Sequence, residues 1–419
     1  MFRVIVRKLP ITRFNRNAKL YLLSAIPDGL GFGIYGLLFN LYILSTGASA
    51  DFLGLVTAAL SLTGLIFAFP AAALSDRIGR KATLLLSGLV APLALMVLGL
   101  ASDLKLLFIS ALTFGLAGSL WDVSLAPFKA ENTTVENRTA FFSLTATIFT
   151  LGALVGNLVG GYLPGLFASW LRVGAESVMA YRMSLMMVVV LWILSCLPLF
   201  FLESANGAET VPVERFRLNV TLATLPFYAK LVARELAAAF GTALLVPFLN
   251  VFFKQVHAVN DTQLGSLFAT SNLVIALGTL AAPWLVRRIG KVQSVALAQL
   301  LAIPFLLAIG FGSLPWAAVG FLVRAMLMNM MGPVFTAFVM ESVEPTERAT
   351  ANSVMITTWN LAWVVGTYLS GLVQSRYGFT PLFIAAMILY AVAAGLTLYF
   401  FAPSEEEEEA DLDVEMLPA

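Results

Sequence analysis

Twelve long apolar stretches, separated by short polar punctuation, run through almost the whole chain. Their approximate spans are 20–46, 52–75, 82–102, 105–128, 139–168, 182–202, 233–255, 262–286, 292–312, 315–340, 350–374 and 379–402. A helix needs about 20 residues to cross ~30 Å of hydrocarbon, so each stretch predicts a membrane-spanning helix. The fold class expected is an all-α membrane protein. One interval breaks the rhythm: 203–230 is polar, with Glu203, Glu209, Glu214, Arg215 and Arg217. It divides a first six-helix bundle, 20–202, from a second, 233–402, with 203–232 as a cytoplasmic linker. Residues 1–19 form a basic segment, and 403–419 a tail holding Glu405 to Glu409, Asp411, Asp413 and Glu415. A run of like charge builds no core, so the tail is expected to be solvated and disordered.

Charge sets the direction of threading. With a cytoplasmic amino terminus, nineteen of the 25 Lys and Arg residues fall on that side. Five fall opposite (Lys105, Arg172, Arg182, Lys254 and Arg376), and Arg324 lies inside a span. Cytoplasmic loops carry the excess of Lys and Arg, so both termini are expected inside, with the chain in the plasma membrane. Residues 1–19 lack the long apolar core and cleavage site of a signal peptide.

Composition narrows the chemistry. With 59% hydrophobic and 12% charged residues, the chain lies far from the soluble average. A net charge of +1 argues against nucleic acid or another polyanion as partner. The single cysteine, Cys196, and the single histidine, His257, leave no disulfide framework, metal-thiolate cluster, multi-His metal site or histidine relay. His257 ends an apolar run and is expected to face water. No Walker-type GxxxxGK(S/T) loop is present, so neither ATP hydrolysis nor any enzymatic activity is expected, and no cofactor or metal.

The two halves repeat. Ile78-Gly79-Arg80 returns as Ile289-Gly290-Lys291 at an offset of 211. Glu131 and Arg138 return as Glu341 and Arg348 at 210, and Phe39-Asn40-Leu41-Tyr42 as Leu249-Asn250-Val251-Phe252, also at 210. A nearly constant offset predicts a duplicated six-helix unit, with two bundles around a central cavity. Between the second and third spans, Asp76, Arg77, Gly79, Arg80 and Lys81 form an abrupt charged turn. This turn resembles the loop between helices 2 and 3 of the major facilitator superfamily, with Ala72 where that family carries glycine. With the repeat, the resemblance covers residues 19–402, and the chain is identified as a member.

The resemblance implies alternating access, a cavity lined by helices 1, 4, 7 and 10, and a gating role for the charged loop together with Glu131 and Arg138. Asp76 is expected to accept from the amide end of helix 11 near Thr350, where the helix dipole favours an anion. Arg80 or Lys81 is expected to pair with Glu131. In the second copy Arg287 replaces Asp76, so Glu341 or Glu344 is expected to pair with the arginines there. In the fifth span, Gly152, Gly156, Asn157, Gly160 and Gly161 resemble the glycine motif of the family's antiporters, with Asn157 in place of proline. Close approach of a neighbouring helix explains the same spacing equally well.

Ionisable residues inside spans are costly and usually functional. Three stand out: Asp28 in the first span, Asp122 in the fourth and Arg324 in the tenth. Under the repeat Asp28 maps to Ala238 and Arg324 to Phe114, so neither recurs as a scaffold residue would. Asp28 lies about 14 Å beyond Lys19 along its helix and is the expected proton-coupling group. A salt bridge to Arg324 without a transport role is the alternative. Asp122 shares a face with Gly115 and Gly118, which predicts a bond to a tightly packed neighbour. Arg234 and Glu235 read as a solvated pair at the inner edge. Asn40 and Asn250 suit either packing or substrate, and Trp121, Trp359 and Asn360 suit a cavity wall. Met326, Met328, Met330 and Met331 suit an adaptable apolar pocket.

The expected function is proton-coupled antiport, exporting small apolar or cationic compounds, by a chain expected to be a monomer in the lipid bilayer. The alternatives are a symporter or uniporter of a polar metabolite such as a sugar, and a non-transporting membrane sensor.

Overall fold

The computed structural model describes residues 14–101, 103–203 and 224–402. Most of the basic amino-terminal segment, most of the linker and the acidic tail lie outside the described residues. Among the described residues twelve helices follow one another: α1 (Arg16–Ser45), α2 (Ala50–Ile78), α3 (Arg80–Leu100), α4 (Leu104–Glu131), α5 (Val135–Leu171) and α6 (Val178–Phe200). Then come α7 (Leu225–His257), α8 (Asp261–Ile289), α9 (Lys291–Phe311), α10 (Leu314–Glu341), α11 (Arg348–Tyr377) and α12 (Thr380–Phe401). Eleven are long and apolar enough to cross a membrane. The exception is α11, where Thr350, Asn352, Ser353, Thr357, Thr358 and Asn360 dilute the apolar run.

Two helices depart from the expected spans. α7 begins at Leu225 instead of 233, and the added turns bury Tyr228 and Leu231 in the core. It is then interrupted by a 3₁₀ turn, Val246–Phe248. Pro247 has no amide hydrogen to give, so the helical ladder cannot continue through it. Elsewhere the breaks are made by glycine. Gly79 (φ 87°) separates α2 from α3, and Gly290 (φ 82°) separates α8 from α9. Only glycine adopts that conformation without strain, so the sequence repeat is also a repeat of backbone geometry.

The chain divides into two compact units. The first comprises Met1–Phe216, Ala243–Leu273 and Asn360–Leu382. Here α1 packs along α5 and α6, while α4 packs along α2 and α3. Glycines set these approaches. A side chain on Gly156 would collide with the Leu30 carbonyl, and one on Gly152 would lie 3.0 Å from Gly29 Cα. Gly161 instead faces α8, where an added Cβ would lie 3.0 Å from Gly265 Cα. Gly54 of α2 meets Gly371 of α11 in the same way, at 2.7 Å. Of the four glycines in the fifth-span motif, Gly152, Gly156 and Gly160 thus lie against α1 and Gly161 lies against α8.

Asn40 and Asn250 are buried and bonded to one another at 3.1 Å. Asn40 also donates to the Pro247 carbonyl, and Asn250 donates to the Leu37 carbonyl at 2.9 Å. Residues 37 and 247 are themselves 210 apart, so the contact is its own mirror under the repeat. Nearby, Asp261 is buried and accepts from Lys254 and from the Tyr181 hydroxyl at 3.1 Å. Lys254 also reaches Glu176 at 3.2 Å. His257 does not simply face water: it packs against the rings of Phe252 and Phe253.

The second unit comprises Arg217–Thr242, Val274–Trp359 and Phe383–Ala419. Its core gathers Tyr228, Leu231, Val295, Phe335 and Ala351, with Met330 and Met331 packed among them. Two of the four methionines therefore fill the core and do not line a pocket. Arg234 and Glu235 are not a solvated pair, since each is only 5% exposed. Arg234 donates to Glu235 at 2.8 Å and to Thr397 at 3.2 Å, and its guanidinium lies 3.6 Å from the Phe335 ring centre. The ring covers a cation already paired with Glu235 and bonded to Thr397, which makes its burial tolerable.

Candidate functional site

A cavity of about 480 Å³ lies inside the first unit, walled by α1, α3, α4, α5 and α6. Residues seven apart on a helix lie nearly one above another, two turns or about 10 Å along the axis. On α1 that spacing stacks Tyr21, Asp28 and Tyr35, and on α4 it stacks Asp122 and Lys129; all five line the cavity. Pro27 interrupts the α1 ladder just before Asp28. The Trp192 indole donates to the Asp28 carbonyl at 3.4 Å, and Gly31 leaves room for that ring.

The wall beyond the carboxylates is aromatic. Phe114 and Trp192 stack at 5.6 Å with an interplanar angle of 15°, and Tyr35 packs on both. Phe32 and Phe149 close another side at 5.1 Å. Asp122 does not bond a packed neighbour, as its place near Gly115 and Gly118 suggested. Gly115 faces α2, whereas Gly118 has open space beside it and lines the cavity with Asp122. Trp121 is a cavity residue as expected.

The other expected site residues lie elsewhere. Asn40 and Asn250 use their amides on each other and on carbonyls, so they hold helices together. Asn360 is half-buried on α11, and Trp359 is 37% exposed. In the second unit Arg324 is buried and donates to the Tyr390 hydroxyl, which lies 3.2 Å from Thr242 Oγ1. Lys129 was not singled out by the sequence reading, because it follows the expected end of the fourth span by one residue. The aromatic wall was missed as well; 12% of the chain is aromatic, and only the seven-residue spacing distinguishes Tyr21 and Tyr35.

The charged loop forms a local cluster. Arg80 reaches Asp76 at 2.7 Å, Glu131 at 3.4 Å and the Ser75 hydroxyl at 2.8 Å. Ser75 in turn meets Ser124 of α4 at 2.9 Å. Arg80, and not Lys81, is the partner of Glu131, since Lys81 donates to the Leu202 carbonyl at 2.6 Å. Arg77 is exposed, and Arg138 donates to the Ala130 carbonyl at 3.3 Å. In the second unit Glu341 pairs with Lys291, not with the arginines, and Arg348 donates to the Met340 carbonyl at 3.0 Å. Lys291 stands at the position of Arg80 and Arg348 at that of Arg138, so the cluster recurs in part.

The Major Facilitator Superfamily profile matches residues 21–235 and 231–418. The tetracycline resistance protein, class H, of Pasteurella multocida is 24% identical over 405 residues, covering 92% of this chain and 96% of that protein. Among solved structures, a variant of the nucleoside transporter NupG is similar with a TM-score of 0.73 at 16% identity, covering 93% of this chain and 99% of that one. A D-xylose-proton symporter is similar with a TM-score of 0.70 at 14% identity, covering 93% and 98%. With its twelve helices in two pseudo-symmetric six-helix bundles, this chain belongs to the Major Facilitator Superfamily and is a multi-pass membrane transporter, not an enzyme.

Proposed function

We propose that the chain exports small, largely apolar cations in exchange for protons, by alternating access, with Asp28 as the coupling carboxylate and Asp122 beside it. The observation that carries this reading is the cavity, in which two carboxylates and an aromatic wall share about 480 Å³. Aromatic faces and carboxylates together suit a lipophilic cation. Likeness to tetracycline resistance proteins favours removal of a toxic compound over uptake of a nutrient. A polar-metabolite symporter would lose two of its expected hydrogen-bonding groups, because Asn40 and Asn250 are occupied by each other.

The test is transport by purified protein in liposomes. A lipophilic cation such as tetraphenylphosphonium is expected to accumulate against its gradient when a pH gradient is imposed, and to lose that accumulation when a protonophore is added. Accumulation unaffected by the protonophore would overturn the coupling.

The loop cluster supports a second expectation. Both Arg80 contacts are partly solvent-exposed, and pairs of this kind are worth about 0–1 kcal/mol. That is little for the fold but shifts a balance between two conformers by up to about fivefold. Asp76→Asn is expected to lower flux within that factor while expression stays near normal. Unchanged flux would leave the loop as a topology signal only.

A further inference from the structure

We propose that the substrate cavity of the first unit is bipolar, with Lys129 as an anion subsite, and that its preferred substrates carry both a cationic group and an acidic group. The inference rests on the proposed use of this cavity and narrows the class of compound it takes.

The observations concern the placement of charge. Asp122 and Lys129 lie on one face of α4, two turns or about 10 Å apart along its axis. Tyr21 and Asp28 repeat that spacing on α1, and all four residues line the cavity. One end of the cavity therefore holds two carboxylates and the other an ammonium group. Lys129 is half-buried and rests on aromatic faces, 5.2 Å from the ring centre of Tyr21 and 5.6 Å from that of Phe142. Among the described residues no carboxylate lies within ion-pair distance of it; Asp28 acts on it only from further away.

Aromatic faces steady an ammonium group but cannot accept its hydrogen bonds. An acidic group on a bound molecule would supply the missing acceptor, and charge-assisted hydrogen bonds are among the stronger polar contacts. A substrate with a cation alone meets the carboxylates but also feels the like charge of Lys129. One with both charges, spaced to match, has a partner at each end. The same lysine thus sets specificity by attraction and by repulsion.

Two dyes provide a matched pair. Rhodamine 110 carries a free carboxylate beside its delocalised cation, and rhodamine 123 is its methyl ester. Binding of each to the purified full-length chain in detergent is followed by fluorescence anisotropy. The wild type is expected to bind the acid about tenfold more tightly than the ester. Lys129→Met is expected to remove that preference by weakening the acid alone, and Lys129→Arg to retain it. Equal affinity for the two dyes in the wild type would overturn the proposal, whatever the fate of the variants. So would a preference for the acid that survives Lys129→Met. Binding of neither dye would count against the cavity as a cation site and so against the export reading itself. Binding of both without preference would leave export standing and remove only the anion subsite.

Discussion

Asp28→Asn is expected to abolish uphill accumulation in liposomes while exchange of labelled for unlabelled substrate continues. Asparagine keeps the size of the side chain and removes its proton chemistry, so the cavity retains its shape. Exchange of one proton for one monovalent cation is electrically neutral, and a pH difference of one unit is worth about 1.4 kcal/mol, or a tenfold concentration ratio. The wild type should therefore approach tenfold accumulation per unit of pH, and the variant should stay near one. Asp28 is the better candidate because it lies at the proline break of α1, with its carbonyl held by Trp192. A variant that still concentrates substrate as well as the wild type would exclude Asp28 and turn attention to Asp122, which lines the same cavity.

Valine at Gly156 and valine at Gly161 are expected to fail for different reasons. The methyl groups have nowhere to go at either position, because the obstacles are backbone atoms: the Leu30 carbonyl for Gly156, and Asp261 O and Gly265 Cα for Gly161. Overpacking of this kind costs about 1–3 kcal/mol, and more where backbone must shift. At Gly156 the cost falls on the contact of α5 with α1, inside the first six helices. Gly156→Val should lower the melting temperature by several degrees and reduce the yield of folded protein. At Gly161 the cost falls on the contact of α5 with α8, which the proposed alternating access would break in each cycle. Gly161→Val should leave the melting temperature within about a degree of the wild type yet reduce flux severalfold. Thermal melts in detergent and flux in liposomes separate the two. Equal loss of stability in both variants would make the α5–α8 contact as permanent as the other.

The spans were legible because twelve apolar runs interrupted by charge leave few alternatives, and the glycine breaks at Gly79 and Gly290 were legible from their place in the repeat. Asp28 and Trp121 stood out as cavity candidates, since polar or bulky groups are conspicuous in an apolar run, whereas the glycines beside Asp122 pointed to packing and the structure places it on the cavity wall. Lys129 did not stand out, because hydropathy marks the end of a span and a cation there reads as loop. Its spacing of seven from Asp122 was the available signal. Asn40 and Asn250 show the converse. Asn40 and Asn250, matched at offset 210, bond each other, and the unmatched Asp28 faces the cavity; but the equally unmatched Arg324 is buried against Tyr390, so recurrence alone does not separate scaffold from cavity residues. The early start of α7 was missed because the polar linker, with Arg215, Arg217 and Lys230, reads as running to 232, although Tyr228 and Leu231 are buried in the core.

The asparagine contact has a consequence for how such a chain is put together. Asn40 donates to a carbonyl at 247, Asn250 donates to a carbonyl at 37, and the two amides meet between them. Contacts of the form i with j and j with i are those of an isologous two-fold dimer. A gene for six helices needs to encode that asparagine only once to equip both sides of the junction. Two copies of such a short protein could close on each other before any linker joined them, and tandem duplication would then fuse an interface that already worked.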